Sequence, residues 1–444
     1  MPPKFYEEPI DPYLPQNGNH GYRVTRYDLE LQYKVTGNRL TGRATITAVT
    51  TEQRGKFALD LAQTMSVSKV TVNGSRAKYG HQRGKLTVTP AKQIPAGGAL
   101  TVVVQYGGTP QPIGGQWGEV GWEELTEGAI VASQPNGAAS WFPCDDHPSS
   151  KASYRISITT DSPFYAVANG ELVNKKVKSS QTTWVYEAAE PMASYLATVQ
   201  IGNYERRLVS RSPVPMFALL PARLRTKFEH DFGRQSQMME TFERLFGPYP
   251  FDDYTVVVTD DELEIPVEAQ GISIFGANHC DGRRGAERLV AHELAHQWFG
   301  NSLTLRAWRD IWLHEGFACY AEWLWSEDSG GPSADQLART ARSNLARSRQ
   351  DFLVGDPGPD LMFDDRLYKR GALALHSLRS HIGDRNFVAL LREWTEKYRH
   401  ASVSTDDFIG LAAKYAKAPL QPLWEAWLFE KKLPELPGNG SGHS

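Results

Sequence analysis

Two histidines and a glutamate form the pattern His-Glu-x-x-His, and a further acidic residue, Glu315, follows it. His292 and His296 are four residues apart, so in a helix they lie one above the other on the same face. Two imidazole nitrogens held in this way can share one Zn²⁺, while Glu293, beside the first histidine, reaches a water at the metal. Eighteen residues separate His296 from Glu315, which is enough for a loop and the start of a second helix that brings in a third ligand. The spacing therefore predicts a zinc hydrolase.

The five-residue pattern alone is also compatible with an amphipathic helix whose polar side chains are solvated or have partners in the core. Its neighbours favour the metal, because apolar residues cover most of the helix circumference and indicate a buried helix. These residues are Leu289, Val290, Leu294, Ala295, Trp298 and Phe299. Buried polar groups without partners cost roughly 1–3 kcal/mol each. A metal ion provides buried histidines with that partner.

Before residue 205, the hydrophobic pattern of the sequence repeats every two residues. Apolar and polar residues alternate, and Asn-Gly, Gly-Gly and Pro separate the segments, which predicts an all-β sandwich or saddle. The alternating segments include Tyr27–Tyr33, Leu40–Ala48, Val70–Gly74, Lys85–Pro90, Leu100–Tyr106, Tyr154–Ile158 and Thr183–Tyr186.

After Pro215 the pattern becomes mainly helical, with a short buried strand at Tyr254–Val258. The predicted helices are Lys227–Phe246, Gly285–Phe299, Trp312–Ser326, Ala334–Arg349, Arg370–His381, Asn386–Tyr398 and Thr405–Tyr415. Ser404 and Asp407 form a predicted capping pair for the last of them. We therefore predict an α+β chain of two domains, 1–205 and 206–436, followed by a Gly- and Ser-rich disordered tail, 437–444.

Composition limits the classes of partner. The 444 residues are 41% hydrophobic and 22% charged, with a net charge of −3, so neither nucleic acid nor an anionic membrane is expected to bind. No apolar run reaches the length that spans a bilayer. The first residues have no apolar core typical of a signal peptide, and the three cysteines are too scattered for a disulfide framework. We expect a cytoplasmic protein and favour a monomer.

Several separate motifs resemble one family. They are Gln297-Trp-Phe-Gly-Asn301, Trp308-Arg-Asp-Ile-Trp-Leu-His-Glu-Gly-Phe-Ala318, Gln134-Pro-Asn-Gly-Ala-Ala-Ser-Trp-Phe-Pro-Cys-Asp-Asp146 and Glu190-Pro-Met-Ala-Ser-Tyr-Leu196. Together with the zinc motif, they resemble the zinc aminopeptidases of the aminopeptidase N family, which are gluzincins. The resemblance implies an N-terminal β saddle, a thermolysin-like catalytic domain and one Zn²⁺ per chain. Many members continue beyond the position of Leu436, so a compact version without C-terminal domains is expected.

The resemblance also implies roles for individual residues. His292, His296 and Glu315 take the positions of the metal ligands, and Glu293 takes that of the general base. Tyr368, in Tyr368-Lys-Arg-Gly-Ala-Leu373, matches the tyrosine that faces the scissile carbonyl.

Two further positions concern the substrate. Glu268 takes the position of the glutamate that recognises a free amino terminus, and Gln134 is a helper at the first subsite. Around Glu268 the family has Gly-Ala-Met-Glu-Asn, whereas this chain has Ile265-Pro-Val-Glu-Ala269, so the strand edge that binds the substrate backbone is expected to differ.

These residues predict a zinc-dependent aminopeptidase that acts on peptides with a free N-terminus. An alternative is a hydrolase on the same scaffold with another main substrate, such as an epoxide. A non-catalytic binding module is the third class, and the complete set of ligands, base and tyrosine argues against it.

Overall fold

The computed structural model describes residues 10–437, and the chain divides into two compact units, Met1–Glu205 and Arg206–Ser444. The predicted disordered tail lies, from residue 438 onward, outside the described residues. Over the described part of the chain, no helix is long and apolar enough to cross a membrane.

The first unit is built from β-sheets. The strands of its eight-stranded sheet are, in spatial order, β14 (Glu171–Lys178), β15 (Gln181–Ala193), β12 (Lys151–Asp161), β1 (Tyr22–Lys34), β2 (Arg39–Thr50), β8 (Ala99–Gly108), β4 (Met65–Val72) and β5 (Ser75–Arg76). A five-stranded sheet contains β13 (Tyr165–Ala168), β16 (Val199–Gly202), β11 (Gly128–Ala132), β10 (Gly118–Leu125) and β9 (Ile113–Gly115). A three-stranded sheet contains β3 (Phe57–Asp60), β7 (Lys85–Thr89) and β6 (Lys78–Gln82).

The alternating sequence fixes which face of the large sheet is buried. In β1, Leu29 is opposite Ala44 of β2 and Ile156 of β12, and all three side chains are buried. Their polar neighbours along each strand point to the other face, because successive side chains of a strand alternate. Fully buried aromatic residues fill the interior of this unit, and Tyr27 stacks on Tyr154 with ring centroids 4.8 Å apart.

The second unit is mainly helical. Its helices are α1 (Arg225–Asp231), α2 (Gln235–Phe246), α3 (Glu287–Ala295), α4 (Trp312–Asp328), α5 (Ala334–Leu345), α6 (Asp365–Ile382), α7 (Asp384–Lys397), α8 (Thr405–Ala412) and α9 (Gln421–Trp424). A five-stranded sheet accompanies them, in the order β17 (Glu205–Ser210), β18 (Met216–Leu220), β19 (Tyr254–Val258), β21 (Ile272–Phe275) and β20 (Val267–Ala269). The short strands β22 (Thr304–Leu305) and β23 (Ser402–Val403) pair with each other.

The order of the sheet places β20 at its edge. β19 is buried along its whole length, as predicted, and it pairs in parallel with β18 and β21. β20 pairs antiparallel with β21 on one side only. On its other side this strand has no partner strand among the described residues.

Several predicted helix boundaries are wrong. The segment Lys227–Phe246 is two helices, because the chain breaks around Gly233 and the Asp231 carboxylate accepts hydrogen bonds from the backbone of Gly282 and Arg284. Glycine weakens a helix, and a loop bonded to Asp231 holds the break in place.

The predicted helix Gly285–Phe299 is also too long, since α3 ends at Ala295 and a turn follows it. Conversely, α6 begins five residues before the predicted start, because the Asp364 side chain accepts a hydrogen bond from the Arg366 backbone and caps it. The helices predicted to end at Arg349 and Tyr415 end instead at Leu345 and Ala412.

Two other predictions are confirmed. The class is α+β, with a β-rich first unit followed by a helical second unit. Ser404 and Asp407 form the capping box of α8, each bonding the backbone N–H of the other.

Candidate active site

The three predicted metal ligands meet inside the second unit. The Nε2 atoms of His292 and His296 lie 3.4 and 3.5 Å from the same Glu315 oxygen, Oε2. One ligand atom from each residue lies within 4.8 Å of the others, and all three side chains are buried. Three buried donors thus converge from one helix, the turn after it and a second helix.

Both histidines are held so that Nε2 points into this cluster. His296 lies just beyond the end of α3, but its backbone keeps helical angles, so it stays on the face that carries His292. Its Nδ1 donates to the backbone carbonyl of Phe299 at 3.0 Å. The Nδ1 of His292 donates to Glu322 at 2.7 Å. A hydrogen bond at Nδ1 fixes the tautomer that leaves Nε2 free to bind a metal.

Glu322 was not identified from the sequence, although a signal for it exists. It lies seven residues after Glu315, two turns along α4, and therefore on the same face of that helix. Its carboxylate also accepts two hydrogen bonds from Arg288, at 2.9 and 3.0 Å. The sequence shows that Glu322 shares a helix face with Glu315. It does not show that Glu322 contacts His292, which lies on a different helix.

We predict that Glu322→Gln weakens zinc binding without abolishing it. The amide accepts a weaker hydrogen bond from His292, and losing such an outer partner costs about 10–100-fold in metal affinity. Competition with a chromogenic chelator measures this affinity. The control is Glu240→Gln, an exposed position on α2, and equal affinities for the two variants would contradict the role of Glu322.

Glu268 is held beside this cluster by the turn that follows α3. The side-chain amides of Gln297 and Asn301 donate to the Ala269 carbonyl at 3.2 and 2.9 Å. Gln297 also accepts a hydrogen bond from the Gly271 backbone at 2.8 Å. These bonds tie β20 to the zinc motif, so Gln297 and Asn301 act as positioning residues. Oxygen or nitrogen atoms of Glu268, Glu293 and His296 lie within 4.8 Å of one another.

Tyr368 is brought to the cluster by a close contact between two helices. A β-carbon added at Gly316 on α4 would lie 2.9 Å from the Cα of Gly371 on α6, so only glycine allows this approach. Tyr368 is one turn before Gly371, and its ring lies parallel to that of His292, with centroids 6.1 Å apart. Burial and the charge of the nearby Glu315 carboxylate both raise the pKa of the tyrosine hydroxyl.

Burial and neighbouring charges shift the acid–base properties of these groups. Burial raises the pKa of Glu293 to about 7 and also raises the pKa of Glu268. Burial alone would raise the pKa of Glu315, but the neighbouring His296 and hydrogen bonds from both histidines outweigh it and lower that pKa. Burial raises the pKa of Tyr368 well above its usual value. Its hydroxyl therefore keeps its proton and can donate a hydrogen bond.

For the two histidines, interactions with carboxylates outweigh burial and raise the pKa. Burial alone would lower the pKa of His292, but hydrogen bonds to Glu315 and Glu322 raise it to about 10. In the same way, burial is outweighed by the charges of Glu268 and Glu315, which raise the pKa of His296 to about 9. In the absence of a metal these carboxylates hold protons on the imidazoles, and a metal takes the place of those protons.

The donor set fits zinc. Two imidazole nitrogens and one carboxylate are a common set of protein ligands in catalytic zinc sites, which leave a further position for water or substrate. The carboxylate–histidine contact behind His292 is also typical of such sites.

Gln134, the remaining predicted site residue, belongs to the first unit. It follows β11 and is half-buried. The other predicted site residues, from Glu268 to Tyr368, all belong to the second unit.

Comparison with known families assigns both units. The model of the peptidase M1 N-terminal domain matches residues 24–196, and that of the peptidase family M1 domain matches residues 230–427. The chain belongs to peptidase family M1. The predicted resemblance to zinc aminopeptidases is confirmed at the level of the family.

Curated M1 relatives are named aminopeptidases. A leucyl aminopeptidase of Saccharolobus solfataricus is 24% identical over 95% of this chain and 55% of its own length. A human glutamyl aminopeptidase is 26% identical over 70% of this chain and 35% of its own length. Aminopeptidase M1-D of rice is 26% identical over 71% of this chain and 38% of its own length. The chain thus spans about half or less of the length of these relatives.

Solved M1 structures include one of similar extent. The M1 zinc metallopeptidase of Deinococcus radiodurans is 28% identical, with a TM-score of 0.88, and the match covers 97% of this chain and 100% of that one. A mutant of the Deinococcus protein has been solved with a Tyr-Ser-Ala substrate, and a mutant of a two-domain M1 zinc metallopeptidase has been solved with L-arginine. Zinc is therefore the metal that both the family and the donor set of this chain indicate.

Proposed function

We propose that this protein is a zinc aminopeptidase that removes the N-terminal residue from peptides, and that residues 206–436 form its catalytic domain. The observation that carries the proposal is the position of Glu268, which places a buried carboxylate beside Glu293 and the metal ligands. Such a group provides an anchor for the substrate α-ammonium next to the hydrolytic centre. The names of the M1 relatives and the tripeptide bound to the Deinococcus mutant support the choice of peptides.

Glu293 is the proposed general base. Zinc, bound by His292, His296 and Glu315, supplies Lewis-acid polarisation of a carbonyl and activation of a water molecule. A Glu293 oxygen accepts a proton from the attacking water and then delivers it to the leaving amine. Burial raises the pKa of this carboxyl, and its position beside the metal ligands suits a group that must both accept and return a proton.

Tyr368 is the proposed hydrogen-bond donor to the developing oxyanion. Its hydroxyl lies near Glu315, and its raised pKa keeps the proton available for donation. Because the charge on the substrate oxygen develops only in the transition state, the benefit of this bond appears mainly in kcat.

We predict that Tyr368→Phe lowers kcat by about 10²–10³-fold, as is typical for the loss of one oxyanion donor. KM should change much less, since the ground-state contacts of the substrate remain. Steady-state kinetics on an aminoacyl chromogenic substrate separates the two constants. A rise in KM with an unchanged kcat would contradict the role in the transition state.

Glu268 is the proposed site for the free amino terminus. An α-amino group has a pKa of about 7.7–8.0 and is mostly cationic at neutral pH, so a buried carboxylate at a fixed distance selects substrates with a free N-terminus. This selection makes the enzyme an exopeptidase. Gln134 of the first unit is a further proposed substrate-binding residue at the first subsite.

We predict that Glu268→Gln lowers kcat/KM for free-amine substrates by about tenfold or more, because charge-assisted hydrogen bonds contribute roughly 1.5–3 kcal/mol. The loss should be mainly in KM. Glu264→Gln, an exposed carboxylate four residues earlier, is the matched control and should behave as the wild type. An unchanged KM in Glu268→Gln would exclude the assignment.

A panel of aminoacyl p-nitroanilides tests the proposed function. Each substrate is offered with a free amine and in an N-acetylated form. Release of nitroaniline from the free forms only is expected, whereas no release from any aminoacyl group would contradict the proposal. Turnover of an epoxide without aminoacyl release would favour the alternative hydrolase.

A further inference from the structure

An exposed isoleucine lies at the start of the strand that carries Glu268. Ile265 is 68% exposed, more than any other large apolar side chain among the described residues. It lies three residues before Glu268, just before β20 begins at Val267. Apolar surface in contact with water favours association with another apolar group, and this surface is continuous with the strand beside the metal ligands.

The backbone on both sides of Ile265 is held in place. The Asn278 side chain accepts a hydrogen bond from the Leu263 N–H at 3.0 Å and donates one to the Leu263 carbonyl at 2.9 Å. Between the isoleucine and β20, Pro266 is buried, and its ring restricts the backbone. The exposed side chain is therefore presented from a fixed position, which lowers the ordering cost of binding a ligand there.

Contacts at the other end of β20 set the direction in which a bound peptide can run. The side chains of Gln297 and Asn301 occupy that end, where both donate to the Ala269 carbonyl. A peptide whose amino terminus is bound by Glu268 therefore extends the opposite way and passes Ile265. A strand advances about 3.3 Å per residue, so Ile265 lies roughly 10 Å from Glu268 along the chain, the length of two to three residues of an extended peptide.

We propose that Ile265 forms an apolar subsite for the residues that follow the scissile bond, so that peptides with a large apolar side chain at the second or third position are preferred substrates. This inference rests on the proposed function, in which Glu268 binds the amino terminus. A substrate side chain that covers Ile265 removes apolar surface of both partners from water. The contact does not involve the reacting carbonyl and is the same in the ground and transition states, so it lowers KM and leaves kcat unchanged.

Tripeptides that differ at one position test the subsite. X-Leu-Gly, X-Gly-Leu and X-Gly-Gly are compared, in which X is the residue most readily released from the p-nitroanilide panel. For the wild type, KM for at least one of the two peptides with a later leucine should be about three- to tenfold lower than for X-Gly-Gly, since an open surface buries only part of a side chain. In Ile265→Ser this ratio of KM values should approach one. Because the ratio is taken within one protein, changes in overall activity cancel.

Two control variants should keep the wild-type ratio. Glu264→Gln changes the neighbouring exposed carboxylate and separates an effect of the isoleucine from one of local charge. Val177→Ser changes an apolar side chain on β14 that is 65% exposed, and it controls for the loss of surface hydrophobicity.

The outcomes separate this inference from the proposed function. Aminoacyl release from p-nitroanilides, together with equal KM values for the three peptides, would refute the subsite and leave the aminopeptidase proposal intact. A leucine preference that persists in Ile265→Ser would also overturn the subsite, as would its loss in either control. If the protein releases no residue from any substrate, the proposed function fails, and calorimetric titration with the same peptides decides the subsite by the ratio of their affinities.

Discussion

Glu293→Gln should lower kcat by about 10²–10⁴-fold while the protein keeps its zinc. This range is the usual contribution of a positioned general base, and an amide of the same shape cannot accept the proton of the attacking water. The three metal ligands and the contact between His292 and Glu322 do not involve the Glu293 side chain. Turnover should thus fall without loss of metal.

Three measurements on one preparation check this prediction, namely kcat, zinc per chain and the melting temperature. The melting temperature should not fall, because the substitution removes a buried ionisable group that has no hydrogen-bond partner at Oε2 among the described residues. Glu240→Gln, on the exposed side of α2, is the control for a change of charge. A variant that retains zinc and most of the wild-type kcat would exclude Glu293 as the base.

His292→Ala should lose the metal and, with it, all activity. The substitution removes one of three ligands and leaves Glu322 with its ion pair to Arg288. Wild-type protein should also gain thermal stability from zinc, by about 2.7 kcal/mol when free zinc is 100 times its dissociation constant. The variant should show no such gain.

Metal analysis and thermal unfolding with and without added zinc measure both effects. His381→Ala is the control, because this exposed histidine on α6 bonds only the Ser377 carbonyl of its own helix among the contacts described for it. It should retain zinc and the zinc-dependent rise in melting temperature. A His292→Ala protein that holds one zinc as tightly as the control would contradict the assignment of the ligands.

The sequence predicted those parts of the site that depend on local spacing. The four-residue interval between His292 and His296 places them on one face, and both Glu315 and Tyr368 were found through motifs. The end of α3 was misplaced because apolar residues continue into the turn, where Gln297 and Asn301 bond β20. A run of apolar residues indicates burial, but a buried turn has the same apolar composition as a buried helix. The sequence pattern therefore does not show where the helix ends.

Contacts between distant segments were not predicted. Glu322 orients His292 across two helices, and Gly316 and Gly371 allow α4 and α6 to approach closely enough to place Tyr368. Within its own helix, Glu322 is an ordinary polar residue, and Gly316 and Gly371 are ordinary small residues. Its role depends on a partner 30 or more positions away, which a single sequence does not identify.

The most direct test of the proposed function is the product pattern from one short peptide, prepared with a free and with an acetylated N-terminus. Zinc-loaded protein, chelator-treated protein and chelator-treated protein with zinc restored are each incubated with both forms, and mass spectrometry follows the products. We expect loss of one N-terminal residue at a time from the free peptide only, abolished by the chelator and recovered with zinc. Internal cleavage, cleavage of the acetylated peptide, or activity that survives zinc removal would contradict a zinc aminopeptidase.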